Sequence, residues 1–311
     1  MIIYKLPECT PVPTLPEGAA LALGNFDGVH RGHQRLFDTV NEMKRRGACS
    51  CSAAWTFTTL TKSDKDVTYI TDMSAKMLNF ANCGLDYAVF EDFSDICDLD
   101  CREFVTGRLL GTLKAGGIVC GFNFRFGKDG AGDSTLLSSI LDEAGVLCEV
   151  ISPVMRRGEV VSSTRIRQYI TDGDMDGAFD LLGRPFSVSF PVLHGKELGR
   201  TIGIPTINQA FPKGHVMPKK GIYACSCFVN GEIFLGVCNI GMRPSVDDGD
   251  DISCETHIIN YTGDLYGKEI KLEFYQYMRD EMKFESLDAL RRQIKIDIAE
   301  CLDYFCTMYG N

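Results

Sequence analysis

This 311-residue chain has no apolar run long enough to span a membrane. Its start, Met1 to Thr10, has no basic segment followed by a long apolar one, so no secretory signal is expected there. Positive charge is in deficit: 32 Lys and Arg face 42 Asp and Glu, for a formal net charge of −10. Such a chain repels polyphosphate backbones as a whole, which makes nucleic acid a poor default partner. None of the 14 cysteines forms a CxxC pair, which excludes a zinc ribbon. No Walker pattern and no GxGxxG fingerprint occurs; Gly127-Lys128 is the nearest approach and lacks the spacing. No internal repeat and no low-complexity linker stands out.

What is present is ordinary for a globular chain: 45% apolar and 24% charged residues. A cytoplasmic location follows as the expectation, and there the thiols stay reduced. Cys49/Cys51 and Cys225/Cys227 fall in strand-like stretches and read as small buried apolar side chains.

Periodicity divides the chain. Up to about residue 184, strand-like runs (19–24, 49–57, 85–90, 116–124) alternate with helix-like ones (33–46, 72–84, 136–145). That alternation predicts a Rossmann-like parallel α/β domain with right-handed crossovers. From 185 onward short strands follow one another closely, with a hairpin signal at Asn230-Gly231. A small antiparallel β-barrel is expected over 185–311, ended by a helix over 286–308. Ser286 would cap that helix, and Leu287, Leu290, Ile294, Ile298, Leu302 and Phe305 would form its apolar stripe.

Two stretches carry chemistry in the first half. "LGNFDGVHRGHQRL" (23–36) puts His30 and His33 three apart at a strand-to-helix turn rich in glycine. Glycines allow close backbone approach, and a helix start favours phosphate. By themselves these residues also fit a surface accident or half of a metal site, with Asp27 the only obvious further ligand. "VSSTRIRQYI" (161–170) sets three hydroxyls before Arg165 and Arg167, which alone reads as a capped surface helix.

Together they resemble the HxGH nucleotidyltransferase superfamily and its second motif, ISSTxxR, with Val161 at the first position and Arg167 on the arginine. With "GFNFRFGKDGAGD" (121–133) the match narrows to the N-terminal module of the bacterial bifunctional riboflavin kinase/FAD synthetase family. The resemblance implies catalytic roles for His30, His33 and Arg167. It puts Gly24, Phe26, Asp27, Gly28, Ser163, Thr164 and Arg165 at the nucleotide, and Asn123, Phe124 and Phe126 beside the flavin. One departure is clear. The family usually carries Phe-x-Pro-His-Pro after its second strand, whereas this chain reads Phe57-Thr58-Thr59-Leu60.

In the second half, "HGKELGRTIGIPTIN" (194–208) offers a glycine-rich loop followed by the neutral oxygen ligands Thr206 and Asn208. Composition alone would leave it a plain glycine-rich hairpin. "PKKGIYA", "VCNIGMRPS", "CETHII", "DLYGKEIKLEF" and "MRDEMKFESLDALRRQI" then follow in the order of the same family's riboflavin kinase module. Its usual PTAN is PTIN here, through Ile207, and the threonine after Arg-Pro is Ser245. The resemblance implies Glu255 as the base, Gly199, Thr206 and Asn208 at ATP and Mg²⁺, and Arg279 at the flavin.

The expected activities are phosphorylation of riboflavin to FMN (185–311) and adenylylation of FMN to FAD (1–184). Both use ATP, and riboflavin and FMN are the other substrates. Two rivals remain: a riboflavin kinase whose adenylyltransferase half is weak or inactive, and a non-catalytic flavin-binding regulator. Small molecules are the expected partners, with no nucleic acid or membrane; a homo-oligomer is left open.

Overall fold

The structure is a computed structural model that describes residues 1–5, 15–58, 68–195, 199, 202–212, 214–243 and 251–310. It divides into two compact units, Met1–Ser163 and Thr164–Asn311.

The first unit is built on a six-stranded sheet. Its strands are β1 (Ile2–Lys5), β2 (Ala19–Leu23), β3 (Ser52–Phe57), β4 (Tyr87–Glu91), β5 (Ala115–Gly121) and β8 (Leu147–Ile151). The order is β1-β4-β3-β2-β5-β8, and every pairing is parallel. Strands buried on both faces explain the unbroken apolar run "AALAL" of β2. One face packs on α1 (Arg31–Arg45) through Phe37, Val40 and Met43, and on α2 (Met73–Asn82) through Phe80. The other packs Leu21, Leu23 and Trp55 against Phe104, Val105 and Leu109, and against Leu137 and Leu141 of α4 (Ser134–Glu143). Phe104–Thr112 is wound as a π-helix that continues α3 (Cys101–Glu103).

The strand order sets where a ligand can enter. From β2 the chain moves one way through β3 and β4, then returns to the other side of β2 with β5 and β8. Open parallel sheets take ligands at such a reversal, which here falls beyond the carboxyl ends of β2 and β5. The two stretches that leave those ends are residues 24–30 and 122–133.

The second unit holds α5 (Ser163–Asp172, from Thr164 on), α6 (Met175–Leu182) and a six-stranded antiparallel sheet. Its strands are β11 (Phe186–Pro191), β12 (Ile207–Ala210), β13 (Gly221–Val229), β14 (Glu232–Arg243), β15 (Asp251–Ile258) and β16 (Glu269–Arg279), in the order β11-β16-β13-β14-β15-β12. The sheet curls until its outer strands meet: Leu193 bridges to Asn208, and Gln209 Nε2 donates to Phe190 O (2.6 Å) and Ile270 O (2.8 Å). Asn230 (φ 51°) and Gly231 (φ 90°) both have positive φ, the backbone that a tight β13–β14 turn needs.

Inside the curl lie Tyr223, Cys225, Cys227, Cys238, Cys254 and Phe274; the opposite face carries Ile222, Ala224 and Val237. A helix, α7 (Leu287–Tyr309), covers that second face with Cys301 and Phe305. Ser286 caps it by accepting from Ala289 N at 3.2 Å.

Two expectations need correction. The buried face of α7 is Asp297, Cys301 and Phe305, while Leu287 and Leu302 point to solvent, 50% and 37% exposed. The helix turns toward a buried carboxylate, so an apolar-only stripe misread its rotation. Cys49 and Cys51 are buried as expected but precede β3 in the turn after α1 rather than lying in a strand.

Candidate active sites

In the first unit the site grows from the turn after β2. Phe26 (φ 54°), Gly28 (φ 79°) and Val29 (φ 41°) all take left-handed backbone, and a β-branched residue there is a strained one. The strain is held by an anchor. Asp27, 4% exposed, accepts from Ile70 N (3.0 Å), Thr71 N (3.1 Å) and Thr71 Oγ1 (3.3 Å), while Gly28 N donates to Thr71 Oγ1 at 3.1 Å. The Phe26 ring is fully buried against Phe37 and Phe80, so toward a nucleotide it presents backbone only. A Cβ on Gly24 would sit 3.0 Å from that ring, which is why the position is glycine.

His30 begins α1 as its cap: Nδ1 accepts from His33 N at 3.2 Å. The neutral ring therefore carries its proton on Nε2. The two imidazoles stack, 3.5 Å between centroids and 18° between planes. Ser163 Oγ donates to Asp27 O at 2.9 Å, so this hydroxyl ties the second motif to the first. In the second unit Arg165 leans on Tyr169, with Nη2 3.4 Å from its hydroxyl. Thr164 is exposed and Arg167 half-buried.

The stretch after β5 turns at once, with Phe124 N donating to Gly121 O at 3.0 Å. It then forms the short hairpin β6 (Arg125–Phe126) with β7 (Gly132–Asp133); a second short hairpin, β9 (Met155–Arg156) with β10 (Glu159–Val160), follows β8. Asn123 is exposed, Phe124 half-buried and Phe126 buried, the two rings parallel at 5.9 Å. Phe104 and Trp55 continue this aromatic wall inward. Behind it Glu91, fully buried, accepts from Trp55 Nε1 at 2.7 Å and pairs with Arg108.

Two members of the first site escaped the sequence reading. Thr71 is one. Lys76 is the other: it is buried, its Nζ donates to Asn25 O at 2.8 Å, and burial lowers its pKa to about 8 while Asp27 pulls it upward. A lysine on the inner face of α2 was the available signal. The Thr58-Thr59-Leu60 departure is described only at Thr58, whose N–H donates to Glu91 O at 2.9 Å; residues 59 and 60 lie outside the described residues.

In the second unit the site is a row. Direct partners run Asn208–Glu255 (β12–β15), Glu255–Asn239 (β15–β14), Asn239–Ile222 (β14–β13) and Ile222–Arg279 (β13–β16). Direct partners share a face, so three residues named from the sequence, Asn208, Glu255 and Arg279, lie on one line across five strands. Four inter-strand steps span about 19 Å. Thr206 stands two residues before Asn208, immediately ahead of β12, and is half-buried. The backbone closes on the Asn208 end: a Cβ on Gly195 would lie 2.3 Å from Asn208 Nδ2, and one on Gly199 would lie 2.2 Å from Ile204 O. Both positions therefore require glycine. At the other end Arg279 gives Nε and Nη2 to Asp297 of α7, at 2.8 and 2.6 Å, fixing that helix as a wall over the row. Ser245 lies outside the described residues.

Comparison with known proteins bears on both units. The FAD synthetase family model matches residues 12–165 and the riboflavin kinase model residues 182–305. The bifunctional riboflavin kinase/FMN adenylyltransferase of Escherichia coli (strain K12) is 36% identical over 294 residues, 93% of either chain. That of Bacillus subtilis (strain 168) is 31% identical over 299 residues, again 93% of either chain. The chain belongs to the bifunctional riboflavin kinase/FMN adenylyltransferase family.

A crystal structure described as a macrolide-efflux protein from Streptococcus pneumoniae superposes with a TM-score of 0.86 at 28% identity, covering 96% of this chain and 98% of that one. Among the described residues no helix is long and apolar enough to cross a membrane. The FAD synthetase match covers the first unit from residue 12 on, and the riboflavin kinase match lies within the second.

Proposed function

We propose that the chain makes FMN and then FAD at two separate sites. The row of the second unit phosphorylates riboflavin with ATP. The turn of the first transfers AMP from ATP to FMN and releases pyrophosphate. The observation that carries this reading is the register of Glu255 directly beside Asn208, within a chain that aligns with bifunctional relatives over both halves. By function we divide the chain at 184/185.

At the kinase site, Glu255 takes the proton of the terminal ribityl hydroxyl as its oxygen bonds to the γ-phosphorus of ATP, and ADP leaves. Thr206 Oγ1 and Asn208 Oδ1 are neutral oxygen donors, spaced by two and walled by glycine backbone. That donor set suits Mg²⁺ shared with phosphate oxygens, and the ion would neutralise charge on them. Gly199 keeps the loop close. Arg279 acts on the flavin side through the wall it builds with Asp297.

At the adenylyltransferase site, Gly24, Phe26, Asp27 and Gly28 shape the turn with their backbone. His30 and His33 donate toward phosphate as charge develops, at the start of a helix whose dipole favours anions. Ser163, Thr164, Arg165 and Arg167 supply hydroxyls and positive charge. Asn123, Phe124 and Phe126 line the flavin side.

A specific observation favours a second reading, a kinase with a slow adenylyltransferase half: the Pro-His-Pro of the family pattern is missing after Phe57. The partners are small molecules, the location cytoplasmic with reduced thiols, and self-association is left to measurement. Incubating the protein with riboflavin, ATP and Mg²⁺ and separating the flavins tests the whole reading. FMN plus FAD supports two activities, FMN alone supports the second reading, and unchanged riboflavin refutes both.

A further inference from the structure

Asn239 is the one polar member of the row that the roles above do not use. Its Oδ1 is buried and has no hydrogen-bond partner. An unpaired buried acceptor is destabilising, and a chain keeps few of them.

The neighbours show why nothing in the row satisfies it. On one side stands Ile222, which is apolar. On the other stands Glu255, whose carboxylate accepts when ionised. Two residues along the strand is Gly241, where a Cβ would lie 2.5 Å from Glu281 Oε1 and 3.5 Å from Asn239 Nδ2. Glycine there leaves room for Glu281 on the Nδ2 side of the amide. Oδ1 thus has an apolar residue and a carboxylate as its direct partners in the row and finds no donor among the described residues, so a donor on a bound ligand would complete it. Glu255 next to it is the residue that must meet a hydroxyl.

We propose that Asn239 is a substrate-positioning residue of the kinase site. Its side-chain carbonyl accepts from the ribityl hydroxyl next to the reacting one and so holds the terminal hydroxyl against Glu255. This rests on the kinase reading above and names the part of the substrate this amide recognises: the polyol chain, not the ring. The amide takes no part in bond making. It fixes the rotamer of the chain's last carbon, and near-attack geometry of that kind is worth a large factor in rate.

The full-length protein tests this with two variants. Asn239→Leu keeps the volume and removes the acceptor. Its thermal midpoint is expected to equal or exceed the native one, because an unpaired buried group is gone. Its kcat/KM for riboflavin should fall about tenfold or more, with KM for ATP and the FMN-to-FAD rate unchanged. Native protein should prefer riboflavin to its 4′-deoxy analogue about tenfold, and Asn239→Leu should lose that preference. Asn239→Asp puts a second carboxylate beside Glu255, so the acid limb of the kinase pH profile should move to higher pH. Asn239→Leu with native kcat/KM, or with the preference intact, overturns the proposal. So does loss of activity and thermal stability together with an unmoved profile in Asn239→Asp, the signature of a purely structural amide. Native protein that makes no FMN overturns the kinase reading itself, so the two failures are distinguishable.

Discussion

In the first unit the proposed phosphate turn runs from Gly24 to His33, with Phe26, Gly28 and Val29 in left-handed backbone. In the second they are scattered from residue 206 to residue 279 and meet because an antiparallel sheet brings them into register. The turn needs an anchor to hold strain, which Asp27 supplies through bonds to residues 70 and 71. The row needs no strain. It needs every strand in phase, since a one-residue slip sends its members to the opposite face. A local site fails through its anchor; a register site fails through any strand or through the helix that walls it.

The sharpest test of this separation removes the chemistry of one site and watches the other. Glu255→Gln keeps shape and removes the base, so riboflavin phosphorylation should fall by about 10²–10⁴. FMN-to-FAD conversion should stay within twofold of native, roughly the scatter of such a difference measurement. His33→Ala is the mirror experiment. The loss of a donor toward developing phosphate charge should lower adenylyl transfer by about 10²–10³ and leave FMN formation intact. Equal loss of both activities in either folded variant would show that the sites are not independent.

The comparison also shows what a sequence displays. The parallel sheet and the turn were readable because their signals are contiguous: an apolar run, glycines, two histidines three apart. The anchor was not, because Asp27 finds Thr71 more than forty positions away, and nothing local marks a threonine as a partner. In the row, Glu255 and Arg279 were named only through family motifs and Asn208 only as a neutral oxygen ligand; their alignment is a fact of pairing and leaves no periodic trace. Arg279 shows the limit best. Motif reading names the residue, but nothing in its own segment reveals that two of its nitrogens pair with Asp297. An acidic residue on an otherwise apolar helix face was the overlooked clue, and it also explains the rotation of α7.

Breaking that pair separates wall from chemistry. Asp297 is 1% exposed, so Arg279→Met leaves a buried carboxylate without its cation, which costs about 3–5 kcal/mol. Denaturant unfolding should show a loss of that order, with a raised KM for riboflavin and an unchanged FMN-to-FAD rate. A native unfolding curve would mean that α7 is held by its apolar packing, through Ile298, Cys301, Tyr304 and Phe305, without the ion pair.

Lys76 offers a subtler probe of the first anchor. Burial lowers its pKa to about 8, against an unfolded value near 10.5. Between these pH values the unfolded chain holds a proton the native one lacks, so this residue makes stability rise with pH across that window. The relief is complete above the unfolded value and is lost as pH falls through about 8. Lys76→Met should therefore be most favourable, relative to native, at neutral pH, by roughly 1–3 kcal/mol. That advantage should shrink steadily toward pH 10.5. Taking the difference between variant and native cancels the ionisation of the cysteines. A difference that stays flat with pH would mean the ammonium is solvated in the native protein.

The smallest expected effect concerns the segment in which the first site departs from its family. Proline stiffens a loop through its fixed φ, and histidine adds a donor. Thr58-Thr59-Leu60 supplies neither. Thr58 is tied to Glu91 O, the strand end behind the aromatic wall, so any change there bears on the flavin side of the turn. A looser wall raises the ordering cost of binding. Adenylyl transfer should then be slower than phosphorylation, and FMN should accumulate before FAD in a time course started from riboflavin. Placing Pro-His-Pro at 59–61, its register after Phe57, should speed FMN-to-FAD conversion by a few-fold, on the order of 1 kcal/mol or less, with the kinase rate unchanged. If FMN never builds up, or if the restored protein is no faster, the strained turn and its Asp27 anchor already supply the order that the family takes from this loop.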